Sequence, residues 1–86
     1  MQRKQEGKGV DGRHKTKYKL LGLNVAYYRK RKGFSQMQFA ERIDISRTHM
    51  NRIENADCAV SLDVLFNISD ALEIPVSLLF DFRDEA

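Results

Sequence analysis

Four polar side chains near the middle of the sequence have the chemistry needed to recognise the edges of DNA bases. They are Arg47, Thr48, Asn51 and Arg52. Their spacings of one, four and five positions place them on one face of a helix. A guanidinium group pairs with O6 and N7 of guanine, an amide suits adenine, and a threonine offers thymine both a hydroxyl and a methyl group. Because this set contains no carboxylate, we interpret it as a base-reading surface rather than an ordinary solvated helix face.

Two short helices joined by a tight turn are predicted to hold these side chains in place. Ser35 and Ser46 are suitable N-caps, so one helix follows Ser35 and the next runs from Ser46 to about Glu54. Helices joined by so short a turn cross steeply and need a small residue at their closest approach, which Ala40 provides. The apolar residues expected to face inward are Phe39, Ile43, Ile45, Met50 and Ile53. The sequence therefore predicts a helix-turn-helix unit over about residues 35–55.

The remaining apolar pattern predicts an all-helical domain of five helices. A first helix begins at Tyr18, a fourth follows the N-cap Ser61, and Pro75 permits a short fifth helix. The apolar residues expected on the buried sides of these three helices are Leu21, Val25, Tyr28, Leu62, Leu65, Phe66, Ile68, Leu72, Val76, Leu79 and Phe80. No stretch alternates with a period of two for long enough to predict a strand. The domain is expected to span residues 18–82, with a short tail over residues 83–86.

The net charge of +3 conceals a strong gradient along the chain. Residues 1–19 contain seven basic and two acidic side chains, residues 29–56 contain seven and three, and residues 57–86 contain one and seven. A polyanion such as double-stranded DNA should therefore approach the first two thirds of the chain and avoid the last third. Residues 1–17 have too little apolar surface to order themselves, so we expect a flexible, disordered basic arm that either binds DNA or only aids solubility.

The sequence offers no arrangement of residues typical of catalysis, metal binding or membrane insertion. No nucleophile has a neighbouring base and no glycine-rich phosphate loop occurs, so neither an enzyme nor a cofactor is expected. His14, His49 and Cys58 lie in different segments without ligand spacing, so no metal site is expected. No apolar run resembles a signal or a membrane span, and a single cysteine suits a reducing compartment. The expected location is the cytoplasm.

This pattern resembles the helix-turn-helix family of the lambdoid phage repressors and Cro, also called the XRE type, over residues 21–80. The matching residues are Val25, Arg29, Ser35, Gln36, Phe39, Ala40, Ile43, Ile45, Ser46, Met50, Ile53, Glu54, Leu65, Ala71, Leu72, Val76 and Leu79. The resemblance implies a lambda-repressor-like DNA-binding domain. Two residues stand where the family usually has glycine. Asp44 tolerates a positive φ better than most residues, whereas Ala56 would leave the left-handed conformation to Asn55.

The resemblance also implies roles for individual side chains. Those expected to bind DNA phosphates are Gln36, Ser46 and Asn55. Apart from the resemblance, we expect His49 to be partly packed or to lie on the phosphate side. Those at base-reading positions are Arg47, Thr48 and Arg52, with Asn51 close enough to join them or to bind a phosphate. Arg29 and Glu54 would form an internal salt bridge that ties the first helix to the end of the third.

The fifth helix indicates a second copy of the chain. Leu78 and Phe82 are expected to face outward, because the buried side of that helix is already occupied. The family commonly dimerises through this helix, and a two-fold dimer would set two reading helices about 34 Å apart on one face of DNA. A homodimer that represses transcription from a palindromic operator is therefore predicted. The alternatives are an antitoxin with a toxin as its partner, and a restriction-modification controller that activates as well as represses.

Overall fold

The computed structural model describes residues 12–82. Within this range the chain is all-helical, with four α-helices, two 3₁₀ segments and no strand. In chain order these are the 3₁₀ turn Gly12–His14, α1 (Lys15–Lys32), α2 (Gln36–Arg42), α3 (Arg47–Glu54), α4 (Leu62–Leu72) and the 3₁₀ helix Val76–Phe80. The long helix α1 contacts α3, α4 and the C-terminal 3₁₀ helix, and α2 packs against α3. The prediction of an all-helical fold is confirmed.

Three serines begin the helices that follow α1, as predicted. The hydroxyls of Ser35, Ser46 and Ser61 each accept a hydrogen bond from the backbone N–H three residues later, at 2.9 to 3.1 Å. At Ser35 the Gln38 side chain also accepts from the Ser35 N–H at 2.9 Å, which completes a capping box. Each cap satisfies backbone donors that the first turn of a helix leaves unpaired. The N-termini of α2 and α3 are therefore set by local chemistry.

One hydrophobic cluster connects the four α-helices and the C-terminal 3₁₀ helix. Its buried members are Leu21, Val25, Phe39, Ala40, Ile43, Met50, Leu65, Ile68, Leu72 and Leu79. Ala40 is 1% exposed, and its carbonyl accepts from the Ile45 N–H at 3.0 Å across the turn between α2 and α3. A larger side chain at this crossing would push α2 and α3 apart, because a core packed without voids has no room for added methylene groups.

The N-terminal boundary of the domain lies earlier than predicted. Residues 12–17, which were assigned to the disordered arm, are helical and continue directly into the rest of α1. Two contacts explain this extension: the Lys15 ammonium donates to the Ala56 carbonyl at 2.8 Å, and Tyr18 packs against the core. The arm prediction for residues 1–11 and the tail at residues 83–86 fall outside the described residues.

The predicted fifth helix is a 3₁₀ helix of five residues rather than an α-helix. With three residues per turn, side chains three positions apart lie above one another, so Val76 and Leu79 both turn toward the core. Phe82 packs against the core as well, although it lies two residues beyond the helix. Phe80 was expected to be buried but is 44% exposed. Leu78 and Phe82, which were expected to face outward, are instead half-buried. The error at Phe80 follows from applying the α-helical period to a 3₁₀ segment. Leu62 and Phe66 on α4 were also expected on the buried side but are 61% and 47% exposed.

Two turns use residues with a positive φ where glycine is common. Asp44 has φ 63°, as expected for the turn between α2 and α3. After α3 the left-handed residue is Ala56, with φ 61°, whereas Asn55 has φ −94°. The expectation that Asn55 would adopt this conformation is therefore wrong. Ala56 is fully buried, so packing holds it in a conformation that alanine rarely adopts.

Gly22 permits the close approach of α1 to the end of α3. A Cβ added at Gly22 would come within 2.8 Å of the Ile53 carbonyl oxygen and closer still to that of Glu54. Both contacts are with backbone, which cannot rotate away as a side chain would. The sequence contained a signal for this contact, since a glycine inside a helical pattern often marks a close approach. The contact brings the C-terminal end of α3 against α1.

Candidate nucleic-acid interface

The two faces of α3 differ completely in character. Met50 and Ile53 are buried against the core, at 0% and 3% exposure. The residues on the opposite, exposed face are Arg47, Thr48, Asn51 and Arg52. The structure thus brings all four predicted base-reading side chains together on one outward surface. The carboxylate of α3, on Glu54, is paired within the protein and is not part of this surface.

The four exposed side chains differ in how many hydrogen bonds they already form within the protein. Among residues 12–82, neither the Arg47 guanidinium nor the Thr48 hydroxyl makes a hydrogen bond. Arg52 donates to the Asp57 carbonyl at 3.4 Å, a long contact that leaves most of its donors available. The Asn51 amide, in contrast, has two protein partners, Gln36 and Asn55. Arg47 and Thr48 are therefore the side chains with the greatest freedom to bond with bases.

The predicted phosphate-binding side chains lie around the ends of α2 and α3. Ser46 accepts from the His49 N–H through its hydroxyl oxygen, so its own O–H can still donate to a phosphate. His49 is half-buried and Asn55 is exposed. Gln36 is the first residue of α2 and donates to Glu54 at 2.9 Å. These side chains border the exposed face of α3, where the phosphates on either side of a groove would lie.

A buried ion pair ties these elements to α1. The Arg29 Nε and Nη2 atoms donate to the two carboxylate oxygens of Glu54, at 2.6 and 3.0 Å, and Nη1 donates to the Phe34 carbonyl at 2.7 Å. The two side chains are 7% and 6% exposed. The resemblance implied this pair, and the structure forms it with bidentate geometry. The link from Gln36 to the same carboxylate was not predicted from the sequence, because it depends on how α2 crosses α3.

Cys58 lies in the loop after α3, near Arg52. Burial raises the pKa of the Cys58 thiol, and the positive charge of Arg52 opposes this only in part. A thiol with a raised pKa is largely protonated near neutral pH and reacts slowly. Within the part of the chain that the structure describes, no three His, Cys, Asp or Glu side chains group closely enough to hold a metal ion. In the same part, none of the helices combines the length and apolar character needed to cross a membrane.

The helix-turn-helix family model matches residues 25–79, which include α2, α3 and α4. The chain belongs to this family, in its XRE-type branch. Among curated proteins, the chain is similar to the HTH-type transcriptional regulator SinR of Bacillus licheniformis. The two are 30% identical over 67 residues, which cover 77% of this chain and 60% of SinR. The chain thus spans about three fifths of the length of that relative.

Solved structures with the same architecture include DNA-binding regulators. The restriction-modification controller protein C.AhdI from Aeromonas hydrophila superposes with a TM-score of 0.75 at 27% identity, covering 78% of this chain and 97% of that one. The biofilm regulator SinR in complex with DNA superposes with a TM-score of 0.66 at 31% identity, covering 71% and 98%. The fold that surrounds α3 therefore recurs in a protein whose structure was solved on DNA.

Proposed function

We propose that this chain is a sequence-specific, DNA-binding transcriptional regulator that places α3 in the major groove. The observation that carries the proposal is the exposed face of α3, which has two guanidinium groups, an amide and a hydroxyl and no free carboxylate. Because Arg29 neutralises Glu54 inside the protein, this face has no negative charge of its own to repel DNA. An eight-residue helix is about 12 Å long and fits a major groove about 12 Å wide.

In this proposal Arg47, Thr48 and Arg52 contact base edges, because their donors lie at the exposed face of α3. Arginine bonds to guanine in pairs, and each such contact discriminates against the wrong base by about 1 to 3 kcal/mol. Ser46 and His49, at the N-terminal turn of α3, bind the phosphates that border the groove. Family membership supports a regulatory role, since the relatives are named as transcriptional regulators.

We further propose that the chain binds a palindromic operator as a homodimer. The apolar side chains available for this contact are Leu62, Phe66 and Phe80, which are 61%, 47% and 44% exposed. Phe82 stays in the proposed contact, since its ring lies 6.3 Å from that of Phe80 and lines the same groove as Leu62. Leu78 does not line that groove but a neighbouring one beside Leu23, which Phe82 lines as well, so we place Leu78 outside the proposed contact. A two-fold contact here would place both copies of α3 on one face of DNA.

The test is selection of bound sequences from a random pool of double-stranded DNA at a defined salt concentration. The expected result is an enriched palindrome whose half-sites are about one helical turn apart. An enriched single half-site would contradict the homodimer but not the reading of bases. Binding to all sequences with equal affinity would contradict sequence-specific recognition altogether, because phosphate contacts alone cannot distinguish sequences.

Repression in the cytoplasm, by occupying an operator that overlaps a promoter, is the simplest mechanism for the domain. A second candidate is a controller that both activates and represses, since the restriction-modification controller protein C.AhdI has a similar fold. A reporter assay with the selected operator placed either upstream of a promoter or across it separates the two. A rise in expression from the upstream site supports a controller, whereas repression from the overlapping site alone supports a repressor. An antitoxin function predicts in addition that a toxin co-purifies with the chain.

A further inference from the structure

A chain of hydrogen bonds runs from the buried ion pair to the exposed face of α3. The Gln36 nitrogen donates to Glu54 Oε1 at 2.9 Å. The Asn51 nitrogen donates to Gln36 Oε1 at 3.3 Å, and the Asn55 nitrogen donates to Asn51 Oδ1 at 3.1 Å. We name the three side chains Gln36, Asn51 and Asn55 the amide ladder. It joins the start of α2 to the middle and the end of α3.

The ion pair sets the direction of every amide in this ladder. An ionised carboxylate can only accept hydrogen bonds, so the Gln36 atom that faces Glu54 must be the nitrogen. The Gln36 oxygen is then left to face Asn51, which must present its own nitrogen. By the same reasoning the Asn51 oxygen faces the nitrogen of Asn55. Reversing one amide would place two donors or two acceptors together at each end of it, which costs the hydrogen bonds on both sides.

This polarity decides what the ladder can offer to DNA. The oxygens of Gln36 and Asn51 each already accept one hydrogen bond and keep one lone pair, and the nitrogens of all three side chains each keep a second N–H. An asparagine that reads adenine uses its oxygen and its nitrogen together. Both atoms of the Asn51 amide already have a protein partner, so contacts within the protein, and not a base, set the orientation of this amide. The donors that remain are suited to phosphate oxygens, which only accept.

We propose that Asn51 is a positioning residue, which holds the Gln36 and Asn55 amides with their free N–H groups available to DNA phosphates, and that it does not read a base. This inference rests on the proposed function and assigns Asn51 a different role from the base or phosphate contact that the sequence predicts. The longest link of the ladder, at 3.3 Å, joins Asn51 to Gln36 across the two helices. Asn51 thereby couples the phosphate contacts at the start of α2 to those at the end of α3.

The DNA test compares Asn51→Ala with Arg47→Ala on the selected operator and on each of its single base-pair variants. We expect Asn51→Ala to weaken binding about three- to tenfold on every sequence, the factor expected for losing one or two ordinary hydrogen bonds. Arg47→Ala serves as the matched control, since it should relax the preference at one base pair. The change Asn55→Ala should then have a smaller effect in the Asn51→Ala background than in the wild type. Relaxed preference at one base pair in Asn51→Ala, or unchanged binding, would overturn the proposal.

A second measurement tests the ladder without DNA. The NMR chemical shifts of the Gln36 and Asn55 side-chain amides should differ between the Asn51→Ala variant and the wild-type protein. The exposed Asn67 amide on α4 is the internal control, and its chemical shift should be the same in both proteins. Unchanged Gln36 and Asn55 signals would overturn the ladder whatever the protein binds. If the wild-type protein selects no DNA sequence, the proposed function is contradicted. The NMR comparison would still test whether the amide ladder forms, because it needs no DNA.

Discussion

Two regions of this molecule present opposite kinds of surface. Where α1, α2 and α3 meet, polar side chains are linked to one another: Arg29 with Glu54, Glu54 with Gln36, and Gln36 with Asn51. Where α4 begins beside the C-terminal 3₁₀ helix, apolar side chains such as Leu62 and Phe80 lie exposed. Hydrogen bonds have direction, so the first region holds donors in defined orientations. Apolar contacts need only area and shape, so the second region can bind a partner without any such orientation.

In the proposed function, this difference assigns sequence specificity to the polar region and self-association to the apolar region. Reading bases requires donors that are fixed before DNA arrives, because each misplaced donor costs a hydrogen bond and leaves a polar group unsatisfied. Self-association depends mainly on apolar area removed from water, at about 25 cal/mol per Å². Substitutions in the polar region should therefore alter folding stability and base preference. Substitutions in the apolar region should alter the oligomeric state, measured as the mass of the assembly in solution. The predictions below separate these two outcomes.

Glu54→Ala should have the largest effect. It leaves the Arg29 guanidinium buried, at 7% side-chain exposure, without its carboxylate partner. Removing one member of a buried ion pair costs about 3 to 5 kcal/mol, because the remaining charge is uncompensated. Urea denaturation should show this loss in the free energy of unfolding, with little change in the m-value.

The control for Glu54→Ala is Glu73→Gln, which breaks an ion pair of the same length. Lys32 and Glu73 are 2.6 Å apart but lie on the surface, so Glu73→Gln should not measurably change stability. The Lys32 ammonium lowers the pKa of Glu73. Any stabilisation from this pair is thus present at neutral pH and is lost as the pH falls through the lowered pKa. Equal losses in the free energy of unfolding for the two variants would show that burial does not make the Arg29–Glu54 pair contribute more to stability than the Lys32–Glu73 pair.

Gly22→Ala should destabilise the protein by about 1 to 3 kcal/mol. The added methyl group would overlap the carbonyl oxygens of Ile53 and Glu54. This strain should exceed the gain of about 1 kcal/mol that alanine brings to a helix. Gly12→Ala is the matched control, since its Cβ would meet nothing within 4 Å. Thermal unfolding should show a lower Tm for Gly22→Ala alone, and a higher Tm for both variants would refute the close approach of α1 and α3.

Arg47→Ala should cost about 1 to 3 kcal/mol of operator affinity, and that loss should be confined to sequences with the preferred base at one position. Its stability should not change, since the guanidinium is exposed and makes no hydrogen bond within residues 12–82. Titrations of labelled operator variants measure the effect, with Lys30→Ala as a control for the loss of one exposed positive charge. Uniform weakening on all sequences, together with an altered salt dependence, would instead assign Arg47 to phosphate.

The sequence predicts the parts of this fold that depend on local chemistry. The serine caps of α2, α3 and α4 and the helical spacing of Met50 and Ile53 need only neighbouring residues. The amide ladder could not be predicted, because its links depend on where α2 crosses α3. The exposure of Phe80 could not be predicted either, since the choice between an α-helix and a 3₁₀ helix is made by packing against the core. The two regions were therefore predicted unequally: the exposure of the polar face of α3 agrees with the prediction, whereas the exposure of the apolar end does not.

Leu62→Asp should have the smallest effect on folding of these changes and yet alter assembly. Leu62 is 61% exposed, so an aspartate there stays solvated and the unfolding of the protomer should change little. In a homodimer the same carboxylate would lie unpaired in the contact, and sedimentation equilibrium should report a monomer. Leu23→Asp, on α1 and 63% exposed, is the matched control and should remain a dimer. A monomer from Leu23→Asp alone would move the contact to α1, whereas dimers from both variants would place it elsewhere. Because a monomer contributes one α3 to an operator, loss of the dimer should weaken operator binding. The base preference within a half-site should be kept, and this combination distinguishes a change in the apolar region from a change in the polar region.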